Sequence, residues 1–187
     1  MIIYLNMLET EADREIFQKL YEENKPMLWH IARKIVRNEA DAEDAVHNCF
    51  LRLAENFSRY RNQSYSNLIR LCKAISRNAA TDIAREYRKE GDFQEETGCG
   101  EDDVVEISPD GLDKLIEQYE KNLLDRAVKK LAGAEKDLIF LQYGLGMKPK
   151  EIGKMLNMTS AMVRKRMCRC RNKLVTILEG EEYESLR

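Results

Sequence analysis

Arg164, Lys165, Arg166, Arg169, Arg171 and Lys173 place six cations within ten residues. Guanidinium and ammonium groups at that density bind phosphate; they are not a catalytic set. The apolar residues among them, Val163, Met167, Cys170 and Leu174, recur at helical spacing and predict a helix with a buried seam and a cationic outer side. Just upstream, Pro149 suits a first helical position, and Ile152, Met155 and Leu156 give a preceding helix an inner face. Gly153 is small enough for close helix packing, and Asn157 tolerates the left-handed backbone of a tight turn. Ser160 is expected to cap the second helix. Two helices across such a turn have the geometry by which a helix enters a major groove, with early residues on base edges and flanks on phosphates. The alternative is a structural hairpin with a basic outer side. Cys168 and Cys170 are two apart, so on a helix they cannot share a metal ion, and Cys170 is expected in the core.

Two further sets of side chains lie in the amino-terminal half. Arg70, Lys73, Arg77, Thr81, Arg85 and Arg88 step along one side of a predicted helix, with Asn78 beside them. Before it runs SRYRNQSYS (58–66), holding Arg59, Tyr60, Asn62 and Tyr65. Cations interleaved with aromatics are what a single-stranded nucleic acid needs: charge for phosphates and π-faces for unstacked bases. The other set, Glu43, Asp44, His47, Asn48, Arg52, Glu55 and Asn56, is a polar helix surface suited to docking a protein. A solvated helix face is the alternative for both.

Catalytic and metal chemistry find no footing. There is no phosphate-cradling glycine loop, no His/Cys metal set and no nucleophile–base pairing, so the chain is read as a non-enzyme without cofactor or metal. His30 and His47 are 17 residues apart with no partner at zinc spacing. Glu95, Glu96, Glu101, Asp102 and Asp103 lack the alternating carboxylates of a calcium loop.

The elements that must position these groups are helices. Leu28, Ile31, Ala32, Ile35 and Val36 predict one, with Pro26 in its first turn. Ala42, Ala45, Val46, Cys49, Phe50, Leu53, Ala54 and Phe57 share a face of the next, for which Asp41 is the expected N-cap. A third runs from about Ser66 to Tyr87 over Leu68, Leu71, Cys72, Ile75, Ala79 and Ile83. Further on, Leu115, Ile116, Tyr119, Leu123, Ala127, Val128 and Leu131 predict another helix, followed by a turn near Gly133 and a short helix through Leu138, Ile139 and Gln142.

Charge separates the halves. Residues 86–118 hold 12 Asp/Glu against 3 Lys/Arg, whereas residues 119–178 hold 14 Lys/Arg against 5 Asp/Glu. The net charge of −2 conceals both. From Glu90 to Asp113 there are ten acidic residues, no Lys or Arg, and interspersed Gly and Pro, the composition of a flexible linker. The expected organisation is therefore all-α: a helical bundle over 10–89, an acidic linker over 90–111, a second bundle containing a helix-turn-helix over 112–178, and an acidic tail over 179–187. Composition agrees. Hydrophobic residues are 43% of the 187 and charged residues 34%, with only three prolines and nine glycines, against a turn-rich β fold. No apolar run approaches the ~18–20 residues of a membrane span, and the apolar start has no basic flank or cleavage site. Five cysteines, an odd number, fit reduced thiols and a cytoplasmic location.

Taken together, the chain resembles a bacterial RNA polymerase sigma factor of the short, two-domain type often called extracytoplasmic-function. The resemblance rests on DAEDAVHNCFLRLAENF (41–57) and ISRNAATDIAREYRK (75–89), in which Arg77, Asn78, Asp82 and Arg85 fall at the family's motif positions. It also rests on LLDRAVKKL (123–131) and EIGKMLNMTSAMVRKRMCRCRNKL (151–174). It covers about 10–89 and 112–176 around a variable linker.

The resemblance implies a factor that binds core RNA polymerase, directs promoter-specific initiation and helps separate the strands. Helix 41–57 would dock on the polymerase through Glu43, Asp44, His47, Asn48 and Arg52. The minus-ten element would meet Arg59, Tyr60, Asn62, Tyr65, Arg70, Lys73, Arg77, Asn78 and Arg85. The minus-thirty-five element would be read by Ser160, Arg164, Lys165 and Arg169, with Arg166 and Arg171 on phosphates. The family also admits an anti-sigma factor as a partner, and the acidic linker would suit a basic channel of the enzyme. The rival readings are a helix-turn-helix regulator acting without polymerase, and a sigma-like adaptor that does not bind DNA.

Overall fold

The computed structural model describes residues 2–91 and 121–185, with side chains over 3–87 and 124–180. Most of the 90–111 linker, Leu115, Ile116 and Tyr119, and the side chains of Arg88, Leu123 and most of the 179–187 tail lie outside the described residues. The chain divides into two units, built chiefly from residues 1–95 and from 96–187. Every long element is a helix, and no strand occurs among the described residues, as the periodicity predicts.

In the first unit, α1 (Ile2–Leu5) precedes α2 (Glu11–Arg33), α3 (Glu39–Glu55), α4 (Phe57–Tyr60) and α5 (Tyr65–Gly91). Thr10 starts α2: its backbone is extended and its Oγ1 accepts from the Asp13 amide at 3.1 Å. Asn38 does the same for α3, its Oδ1 accepting from the Asp41 amide at 2.8 Å. The cap expected at Asp41 is thus three residues earlier. A cap needs an extended backbone and a free side-chain acceptor, and Asn38 has both, while Asp41 is already helical. Pro26 likewise stands deep inside α2 and not in a first turn. The helix begins earlier because its buried stripe continues through Asp13, Phe17, Leu20 and Asn24. Two of those are polar, which hides the stripe from a hydrophobicity pattern.

Two clusters hold this unit together. Around Phe17, the rings of Phe50 and Phe57 pack edge-on at centroid distances of 5.9 and 5.5 Å, with Tyr4 at 5.9 Å. Towards the other end, Ala32, Val36, Ala42, Ala45, Ala79 and Ala80 pack with Trp29, Ile35 and Ile83. The small side chains let α2, α3 and α5 approach closely. Between them Cys49 Sγ donates to the Cys72 carbonyl at 3.2 Å, and burial foremost pushes the Cys49 thiol well above its ordinary pKa. Cys49, Cys72 and Cys170 are buried free thiols, and Cys168 is a partly exposed one.

The second unit contains α6 (Lys121–Lys130), α7 (Gly133–Ile139), a π-helical turn (Phe140–Gly144), α8 (Pro149–Met155) and α9 (Ser160–Ser185). Ala127, Leu131, Leu174 and Leu178 form its described core, joined by Val128, Ile139 and Ile177. Glu135 ties α7 to α9. Its Oε2 accepts from the Ala132 amide at 2.7 Å and from Lys173 Nζ at 2.9 Å, and its Oε1 accepts from the same amine at 3.1 Å. Burial opposes the charge on Glu135, but the Lys173 and Ala132 hydrogen bonds outweigh it and hold its carboxyl below the usual range. A depressed folded-state pKa contributes stability that is complete above the unfolded value and fades as pH falls through the lowered one. Glu135→Gln is therefore expected to flatten the acid limb of a thermal-melting profile in that window. A profile identical to that of wild type would mean the clasp adds nothing.

Candidate nucleic-acid interface

The turn between α8 and α9 is built as its residue types require. Lys148 donates its amide to Glu151 Oε2 at 2.8 Å, which settles the start of α8 directly before Pro149. Asn157 adopts a left-handed backbone with φ of 51°. A Cβ on Gly153 would stand 2.6 Å from the Met158 carbonyl oxygen, so any side chain there would push the turn off its helix. Thr159, and not Ser160, caps α9: its Oγ1 accepts from the Met162 amide at 3.2 Å, and Ser160 is the first helical residue. The shift by one residue follows from the turn, which ends at Thr159.

Along α9, Val163, Met167, Cys170 and Leu174 are buried, so the seam lies where the spacing placed it. Burial, the leading cause, pushes the Cys170 thiol up to about 11, consistent with a core residue and not a nucleophile. Arg164, Lys165 and Arg169 are exposed, while Ser160, Arg166 and Arg171 are partly buried. The exposed three lie outside the seam, on the solvent side of the helix. Met162 also projects from this early part of the helix, 46% exposed. Its place outside the four-residue seam was legible in the spacing, and an apolar tip there suits contact with a thymine methyl group.

In the first unit the 58–66 stretch is held by a residue that the aromatic–cation pattern did not single out. Arg61 reaches Glu9 Oε2 at 2.9 Å and Asp13 Oδ2 at 3.2 Å, and its Nε donates to the Ser58 carbonyl at 3.0 Å. Asp13 is buried, which makes the pair an anchor for the whole stretch. No local spacing could reveal it, because its acids lie 52 and 48 residues away. Tyr60 is 4% exposed, so its ring belongs to the core and offers no face to a base. That corrects the expectation for Tyr60: in FSRY (57–60), Phe57 and Tyr60 are three apart and both turn inward on α4.

Arg59 and Asn62 are exposed and Tyr65 partly so. The Tyr65 hydroxyl donates to Glu23 Oε2 at 2.6 Å and accepts from Asn24 Nδ2 at 3.2 Å, and Lys19 Nζ lies 5.3 Å from the ring centroid. Burial, followed by the Glu23 hydrogen bond, pushes the Tyr65 hydroxyl up to about 12. On α5, Arg70 and Arg85 are exposed, and Lys73, Arg77 and Asn78 are partly buried. Asn78 donates to Asp82 Oδ2 at 3.0 Å and Arg85 pairs with Asp82 at 3.8 Å, so this part of the face is a linked row.

On α3, Glu43, Asp44 and His47 are exposed and Asn48 and Arg52 partly so, all on one side of the helix. His47 Nδ1 lies 2.6 Å from the Tyr4 hydroxyl. Among the described residues no group of three or more His, Cys, Asp or Glu side chains could hold a metal ion, and no helix is long and apolar enough to cross a membrane.

Comparison with known proteins follows this division. Residues 20–90 match Sigma-70 region 2, and residues 121–174 match Sigma-70, region 4. A probable RNA polymerase sigma factor, RfaY, of Xanthomonas campestris pv. campestris is 23% identical over 141 residues. That match takes in 75% of this chain, and the chain spans 35% of the relative's length. Among solved structures, the sigma factor RpoE in complex with the anti-sigma factor NepR from Bartonella quintana is 18% identical. It covers 87% of this chain and 96% of its own, with a TM-score of 0.36. With region 2 on the first helical unit and region 4 on the helix-turn-helix, the chain belongs to the sigma-70 family.

Proposed function

We propose that this chain binds core RNA polymerase in the cytoplasm, directs it to a set of promoters, and assists strand separation at the minus-ten element. Sigma factors are regulators of transcription and not enzymes. The observation that carries the reading is α9: a buried apolar seam with Arg164, Lys165 and Arg169 exposed outside it, set across a left-handed turn from α8. In the proposal that helix takes the minus-thirty-five element, with Ser160, Arg164, Lys165 and Arg169 on base edges and Arg166 and Arg171 on phosphates. Arg59, Asn62, Tyr65, Arg70, Lys73, Arg77, Asn78 and Arg85 serve the minus-ten strand. An extruded base costs a few kcal/mol, which stacking and a fitted pocket offset. Tyr65 is the aromatic of that stretch that remains partly exposed. The α3 face from Glu43 to Arg52 docks the polymerase, and an anti-sigma factor is a further partner of the same kind of surface.

The test is transcription in vitro with purified core enzyme and a library of promoter fragments, with and without this protein. New start sites that depend on the protein support the proposal; an unaltered set of transcripts refutes it. Arg164→Ala sharpens the test. If Arg164 reads a base edge, its loss costs about 1–3 kcal/mol and relaxes preference at one upstream position. An equal loss on every sequence would place Arg164 on phosphate alone.

A further inference from the structure

The first residues of the chain precede the matched regions, yet they complete the first unit. Tyr4, on α1, is 5% exposed and sits among rings: Phe17 and Tyr21 at 5.9 Å, His47 at 5.6 Å and Phe50 at 6.3 Å. Arg14 Nε holds the end of α1 by donating to the Leu5 carbonyl at 3.2 Å, and Leu8 is buried behind it. The hydroxyl of Tyr4 meets His47 Nδ1 at 2.6 Å. His47 itself stays exposed, so one edge of its ring is engaged and the other is open.

Which group donates across that contact depends on the tautomer of the imidazole. Burial first, then Tyr21 and Cys49, pushes the Tyr4 hydroxyl above its ordinary pKa and keeps it a neutral phenol. A neutral imidazole that accepts at Nδ1 carries its proton on Nε2. We propose that Tyr4 is a positioning residue: it pins the His47 ring so that Nε2–H points away from α3, as a donor to a carbonyl or carboxylate oxygen of the docked polymerase. The inference rests on the docking role proposed for α3. It adds a residue outside the matched segments and assigns His47 a specific hydrogen-bonding state. An unpinned exposed imidazole would rotate and sample both tautomers, and would lose that freedom on binding.

Tyr4→Phe keeps the ring packing and deletes only the hydroxyl. Nitrogen-15 NMR above neutral pH is expected to show the wild-type His47 Nδ1 displaced by an accepted hydrogen bond and the variant Nδ1 at the position of free imidazole. Affinity for core polymerase is expected to fall about 2- to 10-fold in Tyr4→Phe. His47→Ala should fall at least as far, with no further loss in the double variant. A wild-type Nδ1 already at the free position overturns the proposal without any variant. So does a displaced signal that Tyr4→Phe leaves in place, or one that it shifts with no change in affinity. Should wild type fail to bind polymerase, the docking reading and the outward role of His47 both fall, while the Nδ1 signal still reports whether the pin exists.

Discussion

Phe17→Ala is expected to destabilise the first unit by about 3–5 kcal/mol, the largest stability change anticipated for a single residue here. Phe17 is fully buried at the meeting of α1, α2, α3 and α4, and its ring contacts those of Tyr4, Phe50 and Phe57. Truncation removes the transfer free energy of the ring and leaves a void that three rigid aromatic neighbours cannot close. Against a typical total of about 5–15 kcal/mol, such a loss leaves the fold marginal. Urea unfolding followed by far-ultraviolet circular dichroism measures it. Ile16→Ala is the control: Ile16 is next in sequence but exposed, and its loss should stay within about 0.5 kcal/mol. Near-equal losses in the two variants would mean that the ring cluster is not the centre of the core.

Asp44→Arg is expected to abolish stable association with core polymerase while leaving the melting temperature unchanged. Asp44 is exposed on α3 between Glu43 and His47, so reversing its charge disturbs no buried contact. At an interface the same change sets a cation where the partner expects an anion, and like-charge juxtaposition costs several kcal/mol. Co-purification of tagged polymerase with wild-type and variant chains distinguishes the outcomes. Undiminished recovery with a folded variant would move the docking surface elsewhere on the unit.

Much of this architecture was legible because helices write their cores at regular intervals. The face Ala42 to Phe57, the stripe Leu68 to Ala79 and the seam Val163 to Leu174 are all buried as the 3.6-residue period predicts. What the pattern concealed has a common physical origin in polar groups doing structural tasks. Asp13 and Asn24 are buried on the inner side of α2, so the first half of that helix looked like a surface segment. Caps shifted for the same reason: Asn38 and Thr159 stand just before their helices with side-chain oxygens on the first-turn amides, whereas Asp41 and Ser160 are already helical. Tyr60 was read as a stacking platform because composition cannot say which side of a four-residue helix faces in. The anchoring pair Arg61–Asp13 and the pin Tyr4–His47 join residues more than forty positions apart. Only the folded chain brings such pairs together. The cationic outer side of α9, in contrast, needed no folding to be visible, because both its seam and its charges lie within one element.

The clamp on Arg61 has a thermodynamic consequence for the strand-binding role proposed for the 58–66 stretch. A loop free in solution must surrender its conformational freedom at the moment of capture, and affinity suffers accordingly. Here Glu9 and Asp13 have already frozen the stretch against α2 while the domain folds. In the proposed role of this stretch, the strand would meet a preorganised receptor, and the disorder lost on association would belong mainly to the nucleic acid.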